Sequence, residues 1–286
     1  MGLESALELI ESVSEDSVLF AGETIIDIYT HVSPLGRPSK EVVLSVQKLK
    51  DESFYGGIVA AADCAKAFVG NVEVWSNRKI TKRRFLDTSH TRKLFQVYEE
   101  NESLEEPAPI DLPDVVAVID YGHGMFGTEE IAYLSGEASF LAVNVQSNSG
   151  NFGFNLATKY ENVDYLVVDE MEARLATQNQ FGPIEQSLEE LSAYAERVII
   201  TLGRDGAIGC SPNTDILKVP AFKGNVVDTI GSGDAFFAVT APMANLGDLK
   251  DLMMIGNAAG KLKSCTVGHR ETVTKDALIS FLKANA

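Results

Sequence analysis

Residues 225–237 read NVVDTIGSGDAFF, so Asp228 and Thr229 lead through Ile230 into Gly231, Ser232, Gly233 and Asp234, and a helical pattern follows. Small residues let backbone N–H groups approach a ligand, and a helix beginning there adds the positive end of its dipole. The stretch therefore suits a phosphate group. An acid at a helix mouth can also serve as a cap. Capping alone does not account for the preceding Asp228-Thr229 or for the glycines on either side of Ser232.

A second glycine-rich stretch competes. Gly122-His123-Gly124-Met125-Phe126-Gly127 is a literal G-x-G-x-x-G after the strand-like VVAVIDY, and this raises a dinucleotide-binding, NAD-type reading. That reading needs an acid roughly 20 residues on to hold ribose hydroxyls. The next strand, FLAVNVQ, ends instead in Asn144, Val145 and Gln146. A tight strand-to-helix turn is the simpler account. A Walker-type loop is also missing, because Gly260-Lys261 is followed by Leu262 inside a helical pattern.

The elements that must carry these residues fit an α/β protein. The chain has 286 residues, 45% hydrophobic and 23% charged, enough for a large core and read as one domain over 1–286. A formal charge of -17 argues against nucleic acid or an anionic membrane as partner. An anionic substrate would need a local basic cluster. Cys64, Cys210 and Cys265 form no C-x-x-C pair, and acids at Glu4, Glu8, Glu11, Glu15 and Asp16 leave no signal peptide, so a reduced cytoplasmic setting is expected.

Leu3, Ala6, Leu7, Ile10 and Val13 fall at helical spacing over residues 1–14, a plain amphipathic surface helix. VLFAGETIIDIYTHV and EVVLSVQKL read as strands, and an alanine-rich helix opens at Gly56-Gly57. KITKRRFLDT and RKLFQVYEEN, joined by Ser89-His90-Thr91, read as a hairpin. From residue 115 strands alternate with helices, which implies a mainly parallel sheet covered on both faces, with ligands at the carboxyl ends of its strands.

DTIGSGD, with ITLGRDGA at 200–207, resembles the signature and nucleotide loop of ribokinase/PfkB-type carbohydrate kinases. The similarity runs from about residue 18: AGETIID resembles the family's first strand with its substrate aspartate, and Tyr55-Gly56-Gly57 its di-glycine turn. KITKRRFLD, RKLF and DYGHG are most similar to the kinase half of ADP-heptose synthases and related surface-polysaccharide sugar kinases. The resemblance implies a ribokinase-like three-layer α/β/α fold with a small β lid, expected over about 33–53 and 79–101. It implies transfer of the γ-phosphoryl of ATP, with Mg²⁺, to a hydroxyl of a sugar or sugar phosphate, heptose-related sugars included; a monovalent-cation requirement stays open. A lid with an unpaired apolar outer face would favour a homodimer.

Residue by residue, the resemblance makes Asp234 the general base and turns the N–H groups of Gly231, Ser232 and Gly233 toward the transferred phosphoryl. Thr201, Gly203 and Gly206 would border the nucleotide with Asp228, and Asn257 would approach the adenine or ribose, unless it simply bonds a neighbouring loop. Asp27 would accept hydrogen bonds from sugar hydroxyls, or be a solvated strand end. Gly56 and Gly57 would admit the sugar and hinge the lid, or form a plain turn. Lys82 and Arg84 alternate to one face of a strand. With Arg92 and Lys93 across the hairpin they form a basic island, a solvated face or, by the resemblance, a seat for a sugar phosphate.

Three departures stand out. The family's N-x-x-E appears as Asp169-Glu170-Met171-Glu172, which keeps Glu172 for Mg²⁺ but puts an acid, Asp169, in place of asparagine. The Asp-Pro-Lys segment of heptose kinases is replaced by VNVQSNSGNF, and DYGKG by DYGHG. Between Gly57 and Thr81 there is room for only one helix and one short strand. These motivate a second reading, a catalytically silent sugar- or nucleotide-binding protein on the same scaffold.

Overall fold

A computed structural model describes residues 2–36, 42–89, 92–212, 214–266 and 271–285. The chain opens with α1 (Gly2–Ser12) and β1 (Ser17–Gly22), then β2 (Thr24–Pro34) and β3 (Val46–Gly57). Next come α2 (Ile58–Ala65), β4 (Asn71–Trp75), β5 (Arg78–Asp87) and β6 (Arg92–Ser103). The alternating part comprises β7 (Val115–Asp120), α3 (Thr128–Glu137), β8 (Phe140–Val145), β9 (Val163–Asp169), α4 (Glu170–Ala176), α5 (Ile184–Leu191) and β10 (Ala195–Thr201). Two short strands, β11 (Ala207–Cys210) and β12 (Leu217–Val219), precede α6 (Ser232–Thr240), α7 (Leu249–Lys263) and α8 (Lys275–Asn285).

Eight strands form the main sheet in the order β12-β11-β10-β9-β8-β7-β1-β4. The six from β10 to β4 run parallel, and β11 and β12 add antiparallel pairs at one edge. Period-two alternation sends successive residues of one strand to opposite faces. In β7, Val115, Ala117 and Ile119 join a core with α1, α2, α6, α7 and α8, while Val116 and Val118 join a second core with α3, α4 and α5. Helices on both faces explain why every residue of β7 is buried. Helix α1 is more than a surface decoration, since Ala6 and Ile10 are wholly buried and Ser5 Oγ donates to Asp251 Oδ2 of α7 at 2.5 Å.

The run VLFAGETIIDIYTHV, expected as one strand, is broken at Glu23. β1 ends in the main sheet and β2 enters a second, four-stranded sheet of order β3-β2-β5-β6. Asp27 therefore lies in this smaller lid sheet, not on the first strand of the main one. The break has a local cause: Glu23 turns its carboxylate to the loop after β7, and Thr24 N–H turns to Ser76 Oγ at 3.0 Å. The lid thus also contains β2 (Thr24–Pro34), most of which precedes the range expected from the sequence. Strands β5 and β6 pair antiparallel, while His90 and Thr91 of their connection lie outside the described residues.

Between Gly57 and Arg78 the chain makes α2 and β4, and β4 is the last strand of the main sheet beside β1. The carboxyl ends of β1, β7, β8, β9 and β10 lie along one edge, so Glu23, Tyr121, Gln146, Asp169 and Thr201 come from separate strands to one region.

Candidate active site

The lid supplies a buried polar group. In β2 and β5 the register pairs Asp27 with Lys82 and Tyr29 with Arg84, so the two basic side chains share a face with the aspartate. Arg84 Nη1 is ion-paired with Asp27 Oδ1, and its guanidinium lies 5.7 Å from the Tyr29 ring centre. Lys82 is buried, with Nζ 5.2 Å from the centre of the Tyr98 ring. Burial pushes the Lys82 ammonium down to about 8, against the opposing pull of Asp27, Glu23 and Asp234. His123 packs beside Tyr98, and burial together with the Lys82 charge pushes its imidazole down to about 4. Its Nε2 is buried without a hydrogen-bond partner.

The expected basic island is divided. Arg92 pairs in register with Asp87 at the far end of the hairpin and is exposed, because β6 runs antiparallel to β5. Lys93 extends from the same end, with Nζ 3.7 Å from Asp228 Oδ1. Only Lys82 and Arg84 belong to the buried group beside Asp27.

Gly56 and Gly57 close β3 against Ile25 and Thr24. Gly57 has φ 59°, and a Cβ there would stand 2.5 Å from the Glu23 carbonyl oxygen, so glycine is required where the lid returns to α2.

The Gly122–Gly127 loop has a different role from the dinucleotide reading. Its N–H groups point at Glu23: Tyr121 N donates to Oε2 at 2.9 Å, His123 N to Oε1 at 2.8 Å and Met125 N to Oε1 at 3.4 Å. A buried side-chain carboxylate occupies the position that a pyrophosphate would need, which overturns that reading. Burial, reinforced by Asp120, pushes Glu23 up to about 6.

Asp234 stands in the first turn of α6. Gly231 is the residue before the helix and takes φ 76°, a left-handed conformation natural to glycine. Ser232 N–H donates to the Thr229 carbonyl at 3.2 Å, so it is committed to the turn, and Gly233 follows in the first turn, where N–H groups lack helical partners. Asp234 Oδ1 accepts from Gln146 Nε2 at 2.5 Å and from Tyr121 Oη at 3.3 Å. The carboxylate is therefore held by side chains that immediately follow β8 and β7, and capping is not its described role. Burial and the nearby Asp234 charge push Tyr121 well above its ordinary value, so it stays a protonated donor.

Beside α6 opens a cleft of about 1340 Å³, larger than most small-ligand pockets and large enough for a nucleotide. Its lining includes Thr201, Gly203, Gly206, Asn257, Ser232 and Gly233, together with Asp169 and the basic Arg204, Lys223 and Lys261. Ser232 Oγ is buried without a partner, a donor awaiting an acceptor. Asn257 lines the cleft, and its amide hydrogens go to the carbonyls of Val219 and Pro220, at 3.1 and 3.3 Å, which pins that loop. Asp228 is not among the described lining residues; its Oδ1 accepts from Ile230 N at 3.2 Å and faces Lys93.

Asp169 and Glu172 form a reciprocal capping box at the start of α4: Glu172 N donates to Asp169 Oδ1 and Asp169 N to Glu172 Oε2, both at 2.8 Å. Ser147 N donates to Glu172 Oε1 at 2.9 Å. Burial first, then Asp169, pushes Glu172 up to about 8. Among the described residues no cluster of three or more His, Cys, Asp or Glu side chains is arranged to hold a metal. The fit to Mg²⁺ is therefore partial: an exposed and a half-buried acid side by side suit a cation, yet their oxygens already serve backbone donors. Only contact through water or remaining lone pairs is left, as Mg²⁺ commonly accepts.

The family model for "pfkB family carbohydrate kinase" matches residues 129–276, more than half of the chain. The chain belongs to that family. The pfkB-family match takes in Asp169, Glu172, the glycine loop at 203–206 and Asp234. Among curated relatives, ribokinase of Lactococcus lactis is 41% identical over 75 residues, covering 26% of this chain and 23% of that protein. An ATP-dependent ribose-1-phosphate kinase of Halopiger xanaduensis is 34% identical over 93 residues, 32% of this chain and 31% of that one. The matches thus span about a quarter to a third of these relatives' length. Ribokinase from Thermotoga maritima superposes with TM-score 0.69 at 16% identity, covering 94% of this chain and 99% of its own. Phosphofructokinase-2 from Escherichia coli in complex with potassium gives 0.71 at 13%, covering 95% and 99%. The fold is ribokinase-like.

Several residues that the fold brings to the candidate site carry no assignment from the sequence: Glu23, Tyr98, Tyr121 and Gln146. Glu23 could have been found by asking what balances the N–H groups of a glycine loop with no ligand. Gln146 carries no such signal, since only the fold brings it to a helix 88 residues later.

Proposed function

We propose that the protein is a sugar kinase that transfers the γ-phosphoryl of ATP to a hydroxyl of a sugar or sugar phosphate. One observation carries the reading: the Asp234 carboxylate stands at the mouth of α6, beside the nucleotide-sized cleft and within electrostatic reach of the buried Asp27, Arg84 and Lys82 group. A sugar hydroxyl is a poor nucleophile, and Asp234 takes its proton as the phosphoryl moves. Such assistance is worth about 10² to 10⁴ in rate. The N–H groups at the start of α6, those of Gly231 and Gly233 foremost, and Ser232 Oγ face the developing charge. Thr201, Gly203 and Gly206 border the nucleotide. Asp228 helps shape the loop before α6, and Glu172 with Asp169 would hold Mg²⁺ through water; bound there, the ion neutralises phosphate charge.

The acceptor sits on the lid side, with Asp27 taking hydrogen bonds from hydroxyls and Gly56-Gly57 leaving room for the ring. Lys82 and Arg84, on the same face of the lid as Asp27, favour an acceptor that itself carries phosphate. Names among the relatives, ribose-1-phosphate kinase and D-tagatose-1-phosphate kinase, point the same way. Heptose phosphates belong in the same screen. The lid exposes Leu49, Tyr55, Phe95 and Val97, which supports a homodimer in which lids pack together.

The test is a screen of aldoses, ketoses, heptoses and their phosphates with ATP and Mg²⁺, read by ADP release. An active substrate whose turnover disappears in Asp234→Asn, with ATP binding retained, is expected; an unchanged rate in that variant would refute the assignment. The second reading, a silent binding protein, rests on the Asp169–Glu172 capping box, and sugar binding with no ADP release would favour it.

A further inference from the structure

We infer that Gln146 is a positioning residue that holds the Asp234 carboxylate in its working orientation, with Tyr121 as its second support. The inference rests on the reading of Asp234 as the base. It comes from a chain of hydrogen bonds whose directions are fixed from one end. Asn144, buried at the end of β8, donates Nδ2–H to the Val167 carbonyl of β9 at 2.7 Å. A carbonyl can only accept, so the Asn144 amide is oriented with Oδ1 outward. Gln146 Nε2 meets that oxygen at 3.0 Å and Asp234 Oδ1 at 2.5 Å. Both are acceptors, so both hydrogens of the Gln146 amide are committed and its own orientation is fixed.

Tyr121 Oη adds a donor to the same Oδ1 at 3.3 Å. Asp234 is thus tied to the carboxyl edge of the main sheet by two side chains that follow β7 and β8, although it belongs to a helix from a later part of the chain. A base must stand within hydrogen-bond reach of the hydroxyl it serves, and a carboxylate free to rotate spends much of its time misdirected. A bond to a charged acceptor is also stronger than a neutral one. Lysine or methionine would fill the same space at 146, but lysine would add a charge beside the base and methionine would give no donor.

The experiment compares Asp234→Asn, Gln146→Met and Gln146→Glu with the parent protein, in steady-state kinetics on the best substrate of the screen. Gln146→Met is expected to lower kcat by roughly 10²-fold, the scale of a small misplacement of a reacting group. KM for sugar and ATP, the calorimetric affinity for ATP and the thermal midpoint should stay close to those of the parent. Gln146→Glu places a second carboxylate against the first and is expected to lose more, which gives an independent variant if the methionine side chain disturbs folding. If Asp234→Asn is silent but both Gln146 variants keep the parental kcat, or lose activity through KM alone, the positioning role is overturned and the base assignment stands. If Asp234→Asn keeps its rate, the base reading itself has failed.

Discussion

The Arg84 guanidinium and the Asp27 carboxylate form an ion pair inside the lid, with side chains only 14% and 3% exposed. Removing one member of a buried pair leaves an uncompensated charge, at a cost of about 3 to 5 kcal/mol. Asp27→Ala should therefore lower the midpoint of urea unfolding by that equivalent as well as abolish sugar binding. A variant that unfolds like the parent would show that Arg84 finds another partner or water.

Lys82 gives the reaction a pH signature. Burial is the chief cause that pushes its ammonium down to about 8. Its charge is present at pH 7 and disappears as pH rises through 8, so kcat/KM for a phosphorylated sugar should fall on that side, because this ratio reports the free enzyme. Lys82→Arg keeps its charge at every working pH and should remove this basic limb. A neutral sugar should show little of it, and a limb of equal depth for both sugars would argue against phosphate binding at Lys82.

Gly57→Ala should be costly far beyond the loss of flexibility. The new Cβ would meet the Glu23 carbonyl at 2.5 Å in a left-handed backbone conformation. Strain of this kind costs about 1 to 3 kcal/mol. Denaturant unfolding would measure it, and Gly2→Ala, with nothing within 4 Å of a Cβ, is the neutral control.

Glu23→Gln tests the account of the glycine loop. A glutamine offers one acceptor oxygen and turns its amide hydrogens toward N–H groups that Glu23 now receives. An orphaned buried donor costs about 1 to 3 kcal/mol, which should appear in the unfolding free energy. NAD(H) should leave the melting temperature of the parent protein unchanged, since the loop's donors are already taken; a clear rise would revive the dinucleotide reading.

The parts legible in the sequence share a physical property: their signal is local. Period-two and helical alternation marks β1, β7, β8, β9 and β10 and most of the helices, and DTIGSGD announces a helix start built around small residues; α5 and the short β11 and β12 go unmarked. What was not legible depended on contacts across the fold. The break at Glu23 looks like ordinary strand sequence until the loop it serves is placed beside it. Arg92 and Lys93 were grouped with Lys82 because they follow in the hairpin, yet antiparallel pairing carries them to its other end. Asn257 and the pair Asp169–Glu172 show the converse, polar side chains whose identity suggests a ligand and whose described bonds go to neighbouring backbone.

Glu23 also sets how the two sheets can move. Its side chain is fastened to three backbone amides of the main domain, and the very next residue, Thr24, starts the lid strand and is itself bonded to Ser76. These bonds anchor the root of the lid to the main sheet. An opening of the lid would then be a swing about that root, smallest near Asp27 and largest at Lys93, whose 3.7 Å contact with Asp228 would serve as a latch at the far end. Being partly solvated, the latch is weakened by salt, so ionic strength should govern how readily the acceptor enters and its product leaves, independently of the chemistry at Asp234.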